Sequence, residues 1–160
     1  MADFKRAERE ADRLLAKFSI KEPPVDPEAI AEALGVSVVY SDFATPISAE
    51  LSGYIDHDSA VIVVNRVIPP ARKTYTIAHE LGHHVLHKEY AKSGDYRVSL
   101  RVNQYDGEKP DEEKEADAFA ANLLVPLRFL RRYKDFAPPS QLAKLFCVSQ
   151  DVILNRMKWA

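Results

Sequence analysis

The sequence predicts an α+β fold in which a small β-sheet packs on one long helix. Short runs rich in Val, Ile and Tyr predict strands at residues 36–40, 51–55 and 60–65. The last two runs predict a hairpin, because the turn-forming residues 56–59 separate them. The rest of the chain repeats its apolar residues at helical spacing, without a long linker or an internal repeat. We therefore expect one domain that spans residues 1–160.

Two helices are predicted before the first strand. Residues 4–20 repeat apolar side chains every three or four positions, which indicates an amphipathic helix. The two prolines at 23–24 end this segment. A second, short helix begins after Asp26, at Pro27, and closes at Gly35.

Composition and charge exclude several classes of protein. The formal net charge is −2, from 22 Lys and Arg against 24 Asp and Glu, so the whole chain has no strong attraction for nucleic acid. The first residues are charged and no run of about 18 apolar residues occurs, so we expect a cytoplasmic protein without a membrane span. The single Cys147 excludes an internal disulfide, and its apolar neighbours predict a small buried side chain.

The strongest signal is the motif H-E-L-G-H at residues 79–83. His79 and His83 are four residues apart, so on a helix they share one face with about 5–6 Å between their Cβ atoms. Both imidazoles can then bind one zinc ion at about 2.0–2.1 Å. Glu80 can take a proton from water and pass it to a leaving amine, which is the chemistry of a zinc peptidase. Gly82 costs a helix about 1 kcal/mol relative to Ala, which indicates a close approach by another backbone.

Other histidines near the motif are alternative zinc ligands, and helix geometry ranks the possible pairs. Residues 72–88 read as one amphipathic helix, and His87 lies on the same face as the motif. His79 and His87 are about 12 Å apart along the axis, which is too far for one ion to bridge. His83 with His87 is possible, but only His79 with His83 places a glutamate after the first ligand. His84 and His87 are then candidates for supporting the ligands.

A catalytic zinc usually has three protein ligands, and the segment at 111–126 offers the third. It begins acidic, becomes rich in Ala and stops at a proline, as an amphipathic helix would. Glu113 and Asp117 are one turn apart, so Glu113 can bind zinc while Asp117 hydrogen-bonds a ligating histidine. Glu112 and Glu115 are rival ligands, and these acids could also simply complement the helix dipole and face water.

The C-terminal part of the chain supports a second function. Residues 127–160 carry seven Lys or Arg against two Asp or Glu. Residues 136–160 read as a helix-turn-helix-like segment packed on the domain, with Ser149 as the N-cap of its last helix. The residues that could reach DNA are Gln150, Asn155, Arg156 and Lys158. The same segment could instead dock a partner repressor.

Two further segments have more than one interpretation. Residues 60–65 are continuously apolar, so they form either an edge strand that pairs with an extended substrate or a buried central strand. Residues 89–112 are long and polar and contain Tyr90, Tyr96 and Tyr105. They either contribute substrate contacts and an oxyanion donor or form a surface excursion with a short strand at 97–102.

Several segments, taken in order, resemble the ImmA/IrrE family of metallo-endopeptidases, a gluzincin-like group. The segments are residues 25–36, 51–55, 62–65, 75–83, 113–126 and 142–149. The pattern E-x-x-A-N-x-F-A of this family is met from Glu113 onward, with Asp117 in the Asn position. Because these segments are spread over most of the chain, from residue 25 to residue 149, the resemblance is more specific than the histidine motif alone.

The resemblance implies a zincin-like domain and a zinc-dependent endopeptidase. It implies one zinc ion per chain, held by His79, His83 and Glu113, with Glu80 as the catalytic acid and base and Asp117 orienting a ligand. Many relatives act on helix-turn-helix repressors in phage, mobile-element or stress regulation, so such a repressor is the expected substrate. The alternative is a DNA-binding or repressor-docking protein with a structural metal. Manganese or iron also suits two histidines and a glutamate.

Overall fold

The structure is an α+β fold, as the sequence predicts. The computed structural model describes residues 1–43, 51–96 and 108–160. Its strands are β1 (Ser37–Ser41), β2 (Gly53–Asp56) and β3 (Val61–Asn65). Its helices include, in chain order, α1 (Phe4–Lys17), α2 (Pro27–Ala33), α3 (Pro70–Leu86), α4 (Lys88–Ala91), α5 (Asp111–Leu124), α6 (Leu127–Tyr133), α7 (Pro139–Phe146) and α8 (Gln150–Met157). Within these ranges, none of the helices has the length and apolar character needed to cross a membrane.

The three strands form one sheet in the order β1-β3-β2. β1 pairs with β3 in parallel, and β2 pairs with β3 antiparallel through the predicted hairpin. β3 is the central strand, and its Ile62 and Val64 are fully buried. The interpretation of residues 60–65 as an edge strand for substrate is therefore wrong. Among the described residues, the free edges of this sheet belong to β1 and β2.

α3 carries the histidine motif and contacts both the sheet and α5. Its Ile77 and Leu81 are buried in the core. A Cβ added to Gly82 would lie 3.0 Å from Cδ1 of Phe119 and 3.3 Å from Cα of Ala116. The close backbone approach predicted from Gly82 is confirmed, and it brings α3 and α5 together beside the motif.

α1 packs against α5 through one apolar face. Its fully buried residues are Ala7, Ala11, Leu14 and Leu15. The predicted helix at 4–20 is too long, because α1 ends at Lys17 and Ser19 has a φ of 54°. The Ile20 N–H then donates to the Leu15 carbonyl at 2.9 Å, which closes the helix.

α2 begins and ends as the sequence predicts. The Asp26 carboxylate accepts hydrogen bonds from the N–H groups of Glu28 and Ala29 at 3.0 and 3.2 Å, and Pro27 occupies the first position. Gly35 follows the helix with a φ of 83°, a conformation that L side chains rarely adopt. The chain can therefore turn directly into β1.

α7 and α8 are joined by a turn of three residues. Ser149 caps α8 by accepting a hydrogen bond from the Val152 N–H at 3.3 Å, as predicted. Cys147 is exposed, so the expectation of a small buried side chain is wrong. The reason is its left-handed backbone, with φ 56°, which ends α7 and lets Phe146 and Val148 take the buried positions on either side. The helix-turn-helix-like assignment of this segment stays a prediction.

Candidate metal centre

The three predicted ligands lie together between α3 and α5. His79 and His83 come from α3 and Glu113 from the first turn of α5, and their ligand atoms all lie within 4.8 Å of one another. Nε2 of His79 is 3.6 Å from Oε2 of Glu113, and Nε2 of His83 contacts the same oxygen. Two imidazole nitrogens and one carboxylate oxygen are a donor set that binds zinc. The group could therefore hold a metal ion.

Burial gives a second reason to place a cation there. His83 is fully buried and Glu113 is 5% exposed. Nε2 of His83 and Oε2 of Glu113 are buried without a hydrogen bond of acceptable geometry. Such orphaned polar atoms are uncommon in folded proteins. A cation between them would satisfy both, so the residues fit a metal ion.

The ionisation of His83 and Glu113 also suits metal binding. Burial lowers the pKa of His83 to about 4, which keeps this imidazole neutral at physiological pH. Burial alone would raise the pKa of Glu113, but the close imidazoles of His79 and His83 bring it well below the usual range. A neutral imidazole and an ionised carboxylate are the forms that ligate metals.

Asp117 lies behind His79, as the helix-face argument predicts. Its Oδ1 is 2.8 Å from Nδ1 of His79 and accepts a hydrogen bond from the Tyr75 hydroxyl at 3.0 Å, while Lys109 contacts Oδ2. Burial opposes the charge on Asp117, but the hydrogen bond to His79 lowers the pKa of Asp117 to about 2. Burial also lowers the pKa of His79, but the hydrogen bond to Asp117 and the nearby Glu113 carboxylate raise it to about 10. The arrangement turns Nε2 of His79 toward Glu113.

Glu80 is buried next to the metal cluster but is not part of it. The Tyr96 hydroxyl donates a hydrogen bond to Oε2 of Glu80 at 2.8 Å. The same hydroxyl accepts the N–H of Ile55, on β2, at 2.8 Å. Burial raises the pKa of Glu80 to about 7, and burial together with the charge of Glu80 raises the pKa of Tyr96. The only signal for this contact in the sequence is the presence of Tyr96 in a long polar segment.

The segment at 89–112 is described at both of its ends. Tyr90 and Tyr96 place their ring centroids 5.3 and 5.4 Å from that of His83. These rings enclose the buried ligand face of α3. The predicted strand at 97–102 and Tyr105 lie outside the described residues.

His87 and Glu115 lie on the other side of His83. Nδ1 of His87 is 3.2 Å from Nδ1 of His83, and Nε2 of His87 is 2.6 Å from Oε2 of Glu115. Glu115 thus contacts His87 and does not join the metal cluster. Glu112 is also outside that cluster, so of the acids considered the structure places Glu113 there.

His84 occupies a different face of α3. Its ring centroid is 5.9 Å from that of His57, in the hairpin turn, and burial lowers the pKa of His84. Among the described residues, His84 is not a member of the metal cluster.

One residue predicted to reach DNA is instead part of the interior. Arg156 is 9% exposed, and its Nε donates to the Val125 carbonyl at 2.9 Å. Its Nη2 donates to Oδ1 of Asn122 at 3.1 Å. The prediction for Arg156 is therefore wrong, because its guanidinium joins α8 to the end of α5. The other residues of that set, Gln150, Asn155 and Lys158, are exposed.

A protein of known sequence and a solved structure are similar to this chain. The chain is 27% identical over 126 residues to "Uncharacterized immunity region protein 2" of Bacillus phage phi105, a match that covers 77% of this chain and 70% of that protein. A solved structure of a Mycobacterium tuberculosis transcriptional regulator has a TM-score of 0.63 at 20% identity and therefore shows a shared fold. The match covers 95% of this chain but only 46% of the regulator.

A family model gives the broadest assignment. The Peptidase M78 model, described as the IrrE N-terminal-like domain, matches residues 31–158. This range includes the sheet, the histidine motif on α3 and the acidic helix α5. The chain therefore belongs to the Peptidase M78 family of IrrE N-terminal-like domains.

Proposed function

We propose that the chain is a zinc-dependent endopeptidase. The observation that carries this proposal is the convergence of His79, His83 and Glu113, with Glu80 buried beside the cluster but outside it. Structural zinc sites usually have four protein ligands, whereas catalytic sites have three and an open position. Three ligands with an adjacent carboxylate therefore favour a catalytic site, and membership of a peptidase family supports it.

His79, His83 and Glu113 would hold one zinc ion per chain. Zinc in such a site polarises a carbonyl group and lowers the pKa of a water molecule toward neutrality. Asp117 accepts the Nδ1 proton of His79, which leaves the Nε2 lone pair for the metal. Manganese and iron also suit these donors, and elemental analysis of the purified protein distinguishes the three metals.

Glu80 is the proposed general base and then general acid. Its carboxylate takes a proton from water and delivers it to the leaving amine of the substrate. The hydrogen bond from Tyr96 holds Oε2 and fixes the plane of this carboxylate. Oε1 of Glu80 then remains for proton transfer.

We infer that the substrate is a regulatory protein, first of all a helix-turn-helix repressor of a phage, a mobile element or a stress response. The similarity to a phage immunity-region protein and the fold shared with a transcriptional regulator support this inference. The proposed place of action is the cytoplasm. β3 is the central strand, so an extended substrate segment would pair with an edge strand of the sheet and not with β3.

The test compares zinc-loaded wild type with Glu80→Gln on a proteome-derived peptide library, with new termini read by mass spectrometry. We expect cleavage by wild type, and a rate about 10²–10⁴-fold lower for Glu80→Gln with its zinc retained. Glu112→Gln is the matched control, because Glu112 is a partly exposed acid outside the cluster. If Glu80→Gln cleaves as fast as wild type, the proposed mechanism is wrong.

The alternative function is DNA binding or repressor docking, with a structural metal. It rests on the exposed Gln150, Asn155 and Lys158 at the C-terminal helices, since Arg156 is buried. A retardation assay with operator DNA at physiological salt separates the two functions. Retardation without any peptide cleavage would favour the alternative.

A further inference from the structure

The ligand His83 has a second polar contact that leads away from the metal cluster. Its Nδ1 is 3.2 Å from Nδ1 of His87, and Nε2 of His87 is 2.6 Å from Oε2 of Glu115. The other oxygen of Glu115 accepts the backbone N–H of Asp3, the N-cap of α1, at 2.7 Å. A continuous series of contacts therefore runs from the metal ligand to the start of α1.

All three side chains of this series are buried. His83 is fully buried, His87 is 8% exposed and Glu115 is 9% exposed. The Tyr90 ring lies beside both imidazoles, with centroid distances of 5.3 Å to His83 and 6.2 Å to His87. Because water has little access, a ring that turned away would leave buried polar atoms without partners. The series is therefore fixed in one arrangement.

A metal ion held by His83 would determine the position of each proton in the series. A neutral imidazole has one donor nitrogen and one acceptor nitrogen. Nε2 of His83 needs its lone pair for the metal, so its proton is on Nδ1. This N–H can donate only to an unprotonated Nδ1 of His87. His87 then carries its proton on Nε2 and donates it to the carboxylate of Glu115.

We propose that His87 and Glu115 are positioning residues that fix the tautomer and the orientation of His83. This inference rests on the zinc site of the proposed function. The two histidine ligands are then supported in different ways, since Asp117 contacts His79 directly, whereas Glu115 acts on His83 through a second imidazole. The series also ends at Asp3, which lies before the residues matched by the family model.

The first measurement is nitrogen-15 NMR of the imidazoles in zinc-loaded wild type. We expect His83 to carry its proton on Nδ1 and His87 to be neutral with its proton on Nε2. A purely structural role for His87 would not require this pair of tautomers. A proton on Nδ1 of His87 in the zinc-loaded protein would overturn the proposal.

The second measurement is zinc affinity by chelator competition for His87→Leu, Glu115→Gln and the double variant. We expect each single substitution to weaken zinc binding about 10–100-fold. In wild type, each oxygen of Glu115 accepts one hydrogen bond, one from His87 and one from Asp3. The side chain in Glu115→Gln has a single acceptor oxygen, so one of these two donors would lose its partner. Because Glu115 acts through His87, the double variant should bind no more weakly than His87→Leu alone.

Three further variants, one for rescue and two as controls, complete the zinc-affinity measurement. His87→Gln restores a carbonyl acceptor for His83 and should recover part of the affinity lost in His87→Leu. Glu112→Gln and His84→Gln remove an acid and a histidine outside the series and should bind zinc as wild type does. Additive losses in the double variant, or single variants within twofold of wild type, would contradict the proposal.

The outcomes of these measurements distinguish a failure of this proposal from a failure of the proposed function. Weaker zinc binding in the variants, with no peptide cleaved by wild type, would support the positioning series and reject the peptidase. If Glu113→Ala binds zinc like wild type, the ligand set is wrong and the series fails with it. If a His87 variant does not fold, the tautomers measured in zinc-loaded wild type still test the proposal.

Discussion

The region around the histidine motif and the C-terminal helices differ in where their charged side chains lie. Between α3 and α5, histidines and acids are buried and face one another. On α7 and α8, the charged side chains face solvent, except for Arg156, whose partners are protein oxygens. A buried charge is costly unless a partner compensates it, whereas an exposed charge is solvated. Burial therefore makes the first region specific for a cation, while the basic character of the second indicates no ligand by itself.

The largest effect should come from Glu113→Ala. This substitution removes one of three ligands, so zinc affinity should fall by more than the roughly 10–100-fold typical of groups that only support a ligand. Elemental analysis after removal of excess metal gives the zinc content of both proteins. If the variant kept one zinc ion per chain, the third ligand would be a residue other than Glu113. The contrast between the buried cation site and the exposed C-terminal charges would then no longer hold.

Asp117→Asn should have the next largest effect. An asparagine keeps the size of the side chain but loses the charge that faces Nδ1 of His79, so zinc affinity should fall about 10–100-fold. Chelator competition measures this change, and circular dichroism controls for folding. An unchanged affinity would mean that Asp117 only packs against the helix.

Arg156→Ala tests whether the C-terminal helices are structural. Loss of the donors to Val125 and Asn122 should reduce the free energy of unfolding by about 1–3 kcal/mol, with zinc affinity unchanged. Urea unfolding of the metal-free protein gives the first quantity and chelator competition the second. A variant as stable as wild type that loses DNA retardation would instead support the DNA-binding alternative.

Lys158→Ala should have the smallest effect. Its side chain is exposed and donates a hydrogen bond to Asn155 of α8 at 3.2 Å. The free energy of unfolding should change by no more than about 0.5 kcal/mol, and zinc affinity should not change. A large loss in peptide cleavage with intact zinc would show that the C-terminal segment docks the substrate.

Local spacing is enough to predict the histidine pair and to name Glu113 as one of three candidate acids on the second helix. His79 and His83 follow from the i, i+4 geometry of a helix, and Glu113 and Asp117 follow from one face of a second helix. Gly82 correctly indicates the close approach that brings these helices together. Each of these predictions depends on neighbours within one or two helical turns.

The predictions that fail depend on contacts distant in sequence or on the backbone of a single residue. The apolar run at 60–65 cannot show whether it is central or at an edge, because both neighbours of β3 come from elsewhere in the chain. A charged residue such as Arg156 is expected in solvent, but Val125 and Asn122 hold its guanidinium inside. The neighbours of Cys147 predict a core position, but its left-handed backbone turns it outward.

The contact at Gly82 also sets how closely α3 and α5 approach each other beside the ligands. The missing Cβ lets Ala116 and Phe119 of α5 approach α3, and His83 is the next residue along α3. Any widening between these helices would also widen the gap between the histidines and Glu113. Zinc needs ligands at about 2.0–2.2 Å, whereas calcium takes oxygen ligands at about 2.3–2.6 Å. A single absent carbon therefore keeps the histidines close to Glu113, and we expect a larger residue at position 82 to weaken the binding of a small cation such as zinc.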